Sequence, residues 1–281
     1  MTFPRYPVLN LTIRAVISRA SDPRKPRGMS DEKPMISDMR SRLSLKKAGH
    51  AAVSERLAAS GVLVAAAYAR DAAAAITLQE RCAASGGQVS LHQADLSDPD
   101  VCGRLVSEVL ARHGRLDYLV SNAGEVTEQR YGDVTAADWA RQLAVNLSAP
   151  FFLAQAALGP MTASGFGRIV NVGSVSALMG SPVQIPYAAA KAGLTGLTRS
   201  LARAVARKGI TVNCVIPGSI DTDLPQTLRF TNRDRVTELI PVGRWGSAAE
   251  VAHAITFLLD DQASYITGAV LTVDGGMSMG G

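Results

Sequence analysis

Tyr187 and Lys191, four residues apart, carry the sharpest chemical signal in the chain. On a helix, positions i and i+4 share a face, so the phenol and the ammonium point the same way. A phenol titrates near pH 10 when unperturbed, and a neighbouring cation favours its ionised form. Such a tyrosine can exchange a proton with a carbonyl or an alcohol near neutral pH. Ser174, earlier in the chain, stands just past an apolar run in RIVNVGSVSA and could hydrogen-bond a substrate carbonyl. The spacing alone is a weak signal. A tyrosine and a lysine at this separation also make an ordinary surface pair, and a serine past a strand is also a turn or capping residue.

These residues need a scaffold, and the chain supplies a repeating one. Short apolar runs at 62–67, 89–94, 116–121, 168–173, 210–216 and 269–273 alternate with amphipathic stretches near 50–60, 71–84, 98–113, 136–162, 186–208 and 247–259. Most runs are continuous rather than alternating, as strands buried on both faces of a parallel sheet require. The order predicts an α/β fold, a single Rossmann-like doubly wound parallel sheet with its ligand site at the carboxyl ends of the strands. One further strand should precede the first helix. The available segment, 35–42 (MISDMRSR), carries Asp38, Arg40 and Arg42. Unpaired charges in a central strand are costly, so this first strand and its loop read as degenerate or missing.

Composition is that of an ordinary globular chain, with 47% hydrophobic and 19% charged residues among 281. No uninterrupted apolar run is long enough to span a membrane. The cysteines, Cys82, Cys102 and Cys214, are scattered and odd in number, which suits reduced thiols in a cytoplasmic protein. The histidines, His50, His92, His113 and His253, show no metal-ligand spacing, so no metal site is expected. The net charge of +5 is uneven: residues 1–48 hold 11 basic and 4 acidic residues, and the remainder is slightly acidic. A basic segment could meet nucleic acid or a membrane surface. The plainer reading, preferred here, makes 1–34 a disordered or non-native extension and 35–281 the domain, with neither nucleic acid nor membrane as a partner. Residues 21–34 are too rich in proline and charge to pack a core, residues 1–20 faintly resemble a transit peptide, and Met29 offers an alternative start.

With Ser174, Tyr187 and Lys191 in this setting, the sequence from about 51 to 279 resembles the short-chain dehydrogenase/reductase family, and most closely its 3-oxoacyl-acyl-carrier-protein reductase type. Further motifs match in order: Asp95-Leu96 after the third strand, Ser121-Asn122-Ala123-Gly124 for the NNAG turn, Asn146 in LAVNLSAPFF, Pro217-Gly218-Ser219-Ile220-Asp221-Thr222, Gly243-Arg244-Trp245-Gly246 with Glu250, and Val273-Asp274-Gly275-Gly276. The resemblance implies that Tyr187 donates a proton to the carbonyl oxygen while hydride arrives from a nicotinamide. Lys191 would hold the ribose and lower the pKa of Tyr187, Ser174 would orient the carbonyl, and Asn146 would hold a water serving Lys191. Asp95 and Leu96 would border the adenine; Asn122, Ala123, Gly124, Pro217, Gly218, Ile220 and Thr222 would line the cofactor. Each has a plainer alternative: Asn146 could satisfy a helix irregularity, Asn122 could link strands, and Pro217-Gly218 could be a simple turn.

The phosphate-binding loop departs from the pattern. Aligned on Gly61, the TGxxxGxG stretch falls on Leu43 to His50, and its three glycine positions hold Ser44, Ala48 and His50, with Gly49 out of register. Those glycines allow a tight turn, close approach to pyrophosphate and helix–strand contact. Three explanations stay open: a frame or start error before Ala51, a natural variant with impaired cofactor binding, or a shifted loop using Gly49, Lys46 and Lys47. At the end of the second strand, where NAD-preferring relatives carry an acid, stands Tyr68, followed by Arg70, and Lys47 sits where NADP-using relatives often have arginine. The expected cofactor is therefore NADP(H). Arg70 could equally be a solvated loop charge.

The expected substrate is a small carbonyl or acyl thioester, as in fatty acid or polyketide biosynthesis. Acyl carrier protein is a further partner the resemblance suggests. Of two carrier-docking positions, one corresponds to basic Lys208 and the other to acidic Asp133, which weakens that partner. Segment 223–240 would cover the substrate. The family implies a homotetramer or homodimer through long helices. A non-catalytic or cofactor-impaired member, acting as a binding or oligomer partner, is the alternative.

Overall fold

A computed structural model of the chain describes residues 14–18, 49–221 and 232–279. Its sheet holds β1 (Arg14–Ser18), β2 (Leu63–Tyr68), β3 (Val89–Gln93), β4 (Tyr118–Ser121), β5 (Gly167–Val172), β6 (Ile210–Pro217) and β7 (Val270–Val273), in the order β3-β2-β1-β4-β5-β6-β7. The helices that concern the site and its support are α1 (Gly49–Ala59), α2 (Ala72–Ala84), α3 (Pro99–His113), α4 (Ala136–Leu143), α5 (Ala149–Ser164), α6 (Ser176–Met179), α7 (Ile185–Val205), α8 (Arg233–Glu238) and α9 (Ala248–Leu259).

The continuous apolar runs are explained by two cores, one on each face. Along β2, Val64 and Ala66 pack towards α1 and α9, while Ala65 and Ala67 pack towards α3 and α5. The same alternation recurs on β4, where Tyr118 and Val120 face one core and Leu119 the other. With both faces covered, no polar side is needed. Helix starts follow local chemistry. Asp98 accepts from the Asp100 N–H ahead of α3, and Ser247 with Glu250 forms a capping box at α9. The unbroken helical run Ala136–Ser164 is long and apolar enough to cross a membrane by length and composition. Here Leu153, Ala157 and Met161 of that run are fully buried in the second core.

The central position is taken by β1, which runs antiparallel to both neighbours. Ala15 lies opposite Ala66 and Val120, Ile17 opposite Val64 and Tyr118, and Arg14 opposite Ala67. All the other pairings are parallel. The segment 35–42, the expected first strand, lies outside the described residues, as do Leu43 to Ala48. A parallel strand would end at the carboxyl edge of the sheet. This one begins there.

Candidate active site

Four of the expected residues converge where β4 and β5 end and α7 begins. Ser174 follows β5 by two residues, and its hydroxyl accepts from the Ser176 N–H at the start of α6 (3.3 Å). Tyr187 stands in the first turn of α7, partly buried, with its phenol hydrogen-bonded to Ser174. Lys191, one turn on, is buried, and its ammonium donates to the Val172 carbonyl at 2.8 Å. It lies 5.7 Å from the centre of the Tyr187 ring.

Asn146 sits in a single π-helical turn, Ala144–Ser148, between α4 and α5. A π-turn leaves carbonyls of the preceding turn without their usual donors. The Asn146 amide supplies one, donating to the Gln142 carbonyl (3.0 Å) and also to the Gln142 side-chain oxygen (3.0 Å). The same amide grips Glu125, donating to its carbonyl at 2.8 Å and accepting from its N–H at 3.1 Å. So the residue satisfies a helix irregularity and also faces the cleft. A Cβ added at Gly124 would lie 3.0 Å from Asn146 Oδ1 and 3.4 Å from Lys191 Nζ. Gly124 is thus the point where the Asn122-Ala123-Gly124 turn, Asn146 and Lys191 meet.

The phenol of Tyr187 is held above its ordinary pKa, because burial outweighs the hydrogen bond from Ser174.

The remaining expected residues line the same edge. Pro217 ends β6 and its carbonyl accepts from the Val175 N–H (2.8 Å), which ties it to the Ser174 loop. Gly218 lies so close to Asp274 that a Cβ would approach its Cα to 2.7 Å. Ile220 bridges to Gly246. Tyr68 ends β2, Arg70 is exposed beyond it, and the Asp71 carboxylate is occupied in capping α2, accepting from Ala74 N–H at 2.9 Å. Leu96 is buried and Asp95 exposed just past β3. Lys47 and Thr222 lie outside the described residues. Of segment 223–240, the described part is α8 and its flanks, where the Trp245 indole donates to Thr237 (3.0 Å) and Arg233 stacks on that indole. Among the described residues no His, Cys, Asp and Glu gather as metal ligands.

Three residues were missed in the sequence. Gln142 stands one helical turn before Asn146, a spacing that could have flagged it. Arg141 and Glu125 form an ion pair (3.0 Å), and Arg141 also pairs with Asp95 (3.2 Å). Glu125 follows the NNAG-like turn directly, but nothing in its spacing points to Arg141.

A family model described as enoyl-(acyl carrier protein) reductase matches residues 49–278, most of the chain. The chain belongs to the short-chain dehydrogenase/reductase family. The 3-oxoacyl-acyl-carrier-protein reductase of Escherichia coli strain K12 is 39% identical over 229 residues, 81% of this chain and 92% of that protein. The corresponding protein of Synechocystis is 38% identical over 224 residues, 79% of this chain and 90% of its own length. A blue fluorescent protein from a metagenomic library, solved in complex with NADPH, superposes with a TM-score of 0.77 at 35% identity, covering 84% of this chain and 95% of that one. A mutant short-chain dehydrogenase/reductase of Serratia marcescens superposes at 0.76 with 35% identity, covering 83% and 95%. The family match on this short-chain dehydrogenase/reductase begins at the first residue of α1, so β1 and the segment leading to α1 lie outside it.

Proposed function

We propose that this chain is an NADP(H)-dependent ketone/alcohol oxidoreductase that reduces a 3-oxoacyl thioester or a related carbonyl. The observation that carries the reading is the convergence of Ser174, Tyr187, Lys191 and Asn146 on one cleft around Gly124. The described part of that cleft fits a nicotinamide dinucleotide. Gly124 leaves open the space that a Cβ would fill beside Lys191, and the Ser121 hydroxyl at the head of the cleft is buried with no protein partner. Tyr68 at the end of β2 and Arg70 just beyond it, rather than a carboxylate, favour a phosphorylated ribose.

When bound, the nicotinamide supplies the hydride. Ser174 orients the substrate carbonyl, and Tyr187 donates its proton to the carbonyl oxygen as negative charge develops there. A phenol held above its ordinary pKa keeps that proton until the oxygen becomes more basic, which suits an acid in the reducing direction. Lys191, whose ammonium donates to the Val172 carbonyl, would hold the ribose. Asn146 holds the Gly124-Glu125 peptide in place beside them.

The relatives named for acyl-carrier-protein reduction support an acyl thioester as substrate. Lys208, exposed after α7, suits an acidic carrier, and Asp133 does not. A homotetramer or homodimer through the long helices is supported by apolar side chains left exposed on them, Trp139, Phe151 and Ile185. A second reading, a cofactor-impaired partner protein, is favoured by the altered glycine positions and by the antiparallel β1. The deciding assay follows NADPH absorbance with acetoacetyl-CoA as substrate. Turnover that Tyr187→Phe abolishes supports the oxidoreductase; absence of NADPH binding at millimolar concentration supports the second reading.

A further inference from the structure

Gln184 is the residue from which α7 starts, a place where a side chain commonly caps the helix. Its side chain makes no cap bond. It is directed elsewhere: Ser176 Oγ donates to Gln184 Oε1 (3.3 Å), and Gln184 Nε2 donates to Glu128 Oε1 (3.3 Å). Glu128 lies in the loop after β4, and that loop is fastened on both sides. The Gln129 N–H donates to the Val183 carbonyl at 2.8 Å, next to Gln184. The Gln129 side chain donates to Asp138 of α4 (3.0 Å), and Gln142 donates to Thr127 Oγ1 (3.3 Å). The Glu128 carboxylate is therefore held opposite the start of α7 by its neighbours' bonds.

The same run of bonds continues to the reacting groups. The Ser176 N–H donates to Ser174 Oγ (3.3 Å), and Ser174 is hydrogen-bonded to the Tyr187 phenol. Glu128 decides which way the links run. An ionised carboxylate is an acceptor only, so it takes the amide nitrogen of Gln184 and leaves the amide oxygen facing Ser176. A hydroxyl has one hydrogen, and that of Ser176 is thereby committed to Gln184. Ser174 Oγ then accepts from the backbone of Ser176, and its own hydrogen is left for the phenol and the substrate carbonyl. The side-chain links are long, as hydrogen bonds around a catalytic group often are before substrate binds.

Resting on the oxidoreductase reading above, we propose that Glu128 is a positioning residue. Acting through Gln184 and Ser176, it fixes the direction of the Ser174 hydroxyl towards Tyr187 and the substrate carbonyl.

The test follows NADPH oxidation with acetoacetyl-CoA by the full-length chain and four variants: Glu128→Leu, Glu128→Gln, Ser176→Ala, and Glu128→Leu combined with Ser176→Ala. Glu128→Leu should lower kcat about tenfold, the scale of a lost orientation. The KM for NADPH should stay within about twofold, because the change acts on the reacting geometry rather than on cofactor binding. Glu128→Gln keeps an acceptor oxygen for the Gln184 amide, so its kcat should lie within about threefold of wild type. Ser176→Ala breaks the same run of bonds and should cost about as much as Glu128→Leu. The combined variant should be no worse than either alone, as expected for members of one network. Unchanged kcat in Glu128→Leu, costs that multiply in the combined variant, or a Glu128→Gln as impaired as Glu128→Leu overturns the proposal. Hydrogen exchange without cofactor or substrate reads the relay independently of turnover. The Ser176 amide should exchange faster in Glu128→Leu and at the wild-type rate in Glu128→Gln; an unchanged rate in Glu128→Leu also overturns the proposal. A wild-type chain with no turnover refutes the function proposed above, and the exchange rates then decide the relay.

Discussion

The Lys191 ammonium donates to the carbonyl of Val172, the last residue of β5, at 2.8 Å. This bond sets α7 against the strand end, so it fixes the distance between Ser174, two residues past the strand, and Tyr187, one turn before the lysine. The lysine is at once a structural link and a member of the site. Lys191→Met should remove a buried donor at a cost of about 1–3 kcal/mol and lower kcat by about a hundredfold or more. Urea unfolding and NADPH oxidation measure the two effects. A variant that keeps full turnover would remove Lys191 from the chemistry.

Gly124→Ala tests the convergence itself. The new methyl would sit 3.0 Å from Asn146 Oδ1 and 3.4 Å from Lys191 Nζ, and neither side chain has room to yield without losing a bond. Misplacing catalytic groups by a fraction of an ångström should reduce kcat about tenfold, with thermal unfolding lowered by a few degrees. Wild-type kcat in this variant would mean that the three residues are not held as a unit.

Much of this was readable in the sequence, and the reasons can be named. The runs at 62–67 and 168–173 lie within one residue of β2 and β5, because burial on both faces leaves an unmistakable apolar stretch. Tyr187 and Lys191 were found because a helix turns spacing into shared direction. The raised pKa of Tyr187 was not readable, since it depends on how deeply the fold buries the ring. Arg141, Glu125 and Asp95 come from three separate segments, and no periodicity links them. The Arg14–Ser18 strand was hidden by its setting, a basic and proline-rich stretch that reads as extension rather than sheet.

A pH effect should come from the seam between the edge strand and α3. Ser90 Oγ lies 3.0 Å from His92 Nε2 and 2.9 Å from His113 Nε2, and His92 Nδ1 faces Glu108 at 3.4 Å. A hydroxyl has one hydrogen, so it can donate to one imidazole only while accepting from the other. Both rings cannot carry a proton towards it without orphaning that hydrogen. The pKa of His113 is held below its ordinary value by burial, then by the charges of Arg112 and His92. The unfolded chain therefore takes up this proton more readily than the folded one, and stability should fall as pH drops through about 6.5 and below. His113→Gln should flatten that slope in urea titrations between neutral and mildly acidic pH. An identical slope in the variant would place the acid sensitivity elsewhere.

The cap of α9 supplies a second acid-sensitive contact. Arg244 donates to Glu250 (2.7 Å), the Ser247 N–H donates to the same carboxylate (2.7 Å), and together they hold its pKa down to about 2. Because the folded pKa is lowered, this contribution is complete above the usual carboxylate range and is lost as pH falls towards the lowered value. The ion pair is exposed, so most of the effect belongs to the cap. Ser247→Ala and Glu250→Gln should each cost about 1 kcal/mol at neutral pH, read from denaturant midpoints. No shift in either would mean that α9 is held by its packing on α1 and the sheet rather than by its cap.

The remaining question is the pyrophosphate end of the cleft. From Ala51 the chain follows the family pattern, whereas the three glycine positions before it hold Ser44, Ala48 and His50. The strand in the central slot enters at the carboxyl edge, with Arg14 opposite Ala67, where a parallel strand would instead turn into the glycine loop. A dinucleotide needs backbone N–H groups at that edge, approached closely enough that side chains are excluded. Replacing residues 1–50 with an apolar strand followed by a Thr-Gly-x-x-x-Gly-x-Gly loop should therefore raise NADPH affinity by about a hundredfold, the loss expected when several charge-assisted phosphate contacts are missing. Fluorescence titration of both proteins decides it. If the unaltered chain binds NADPH as tightly as the chimera, the glycines are dispensable for the pyrophosphate contact in this chain.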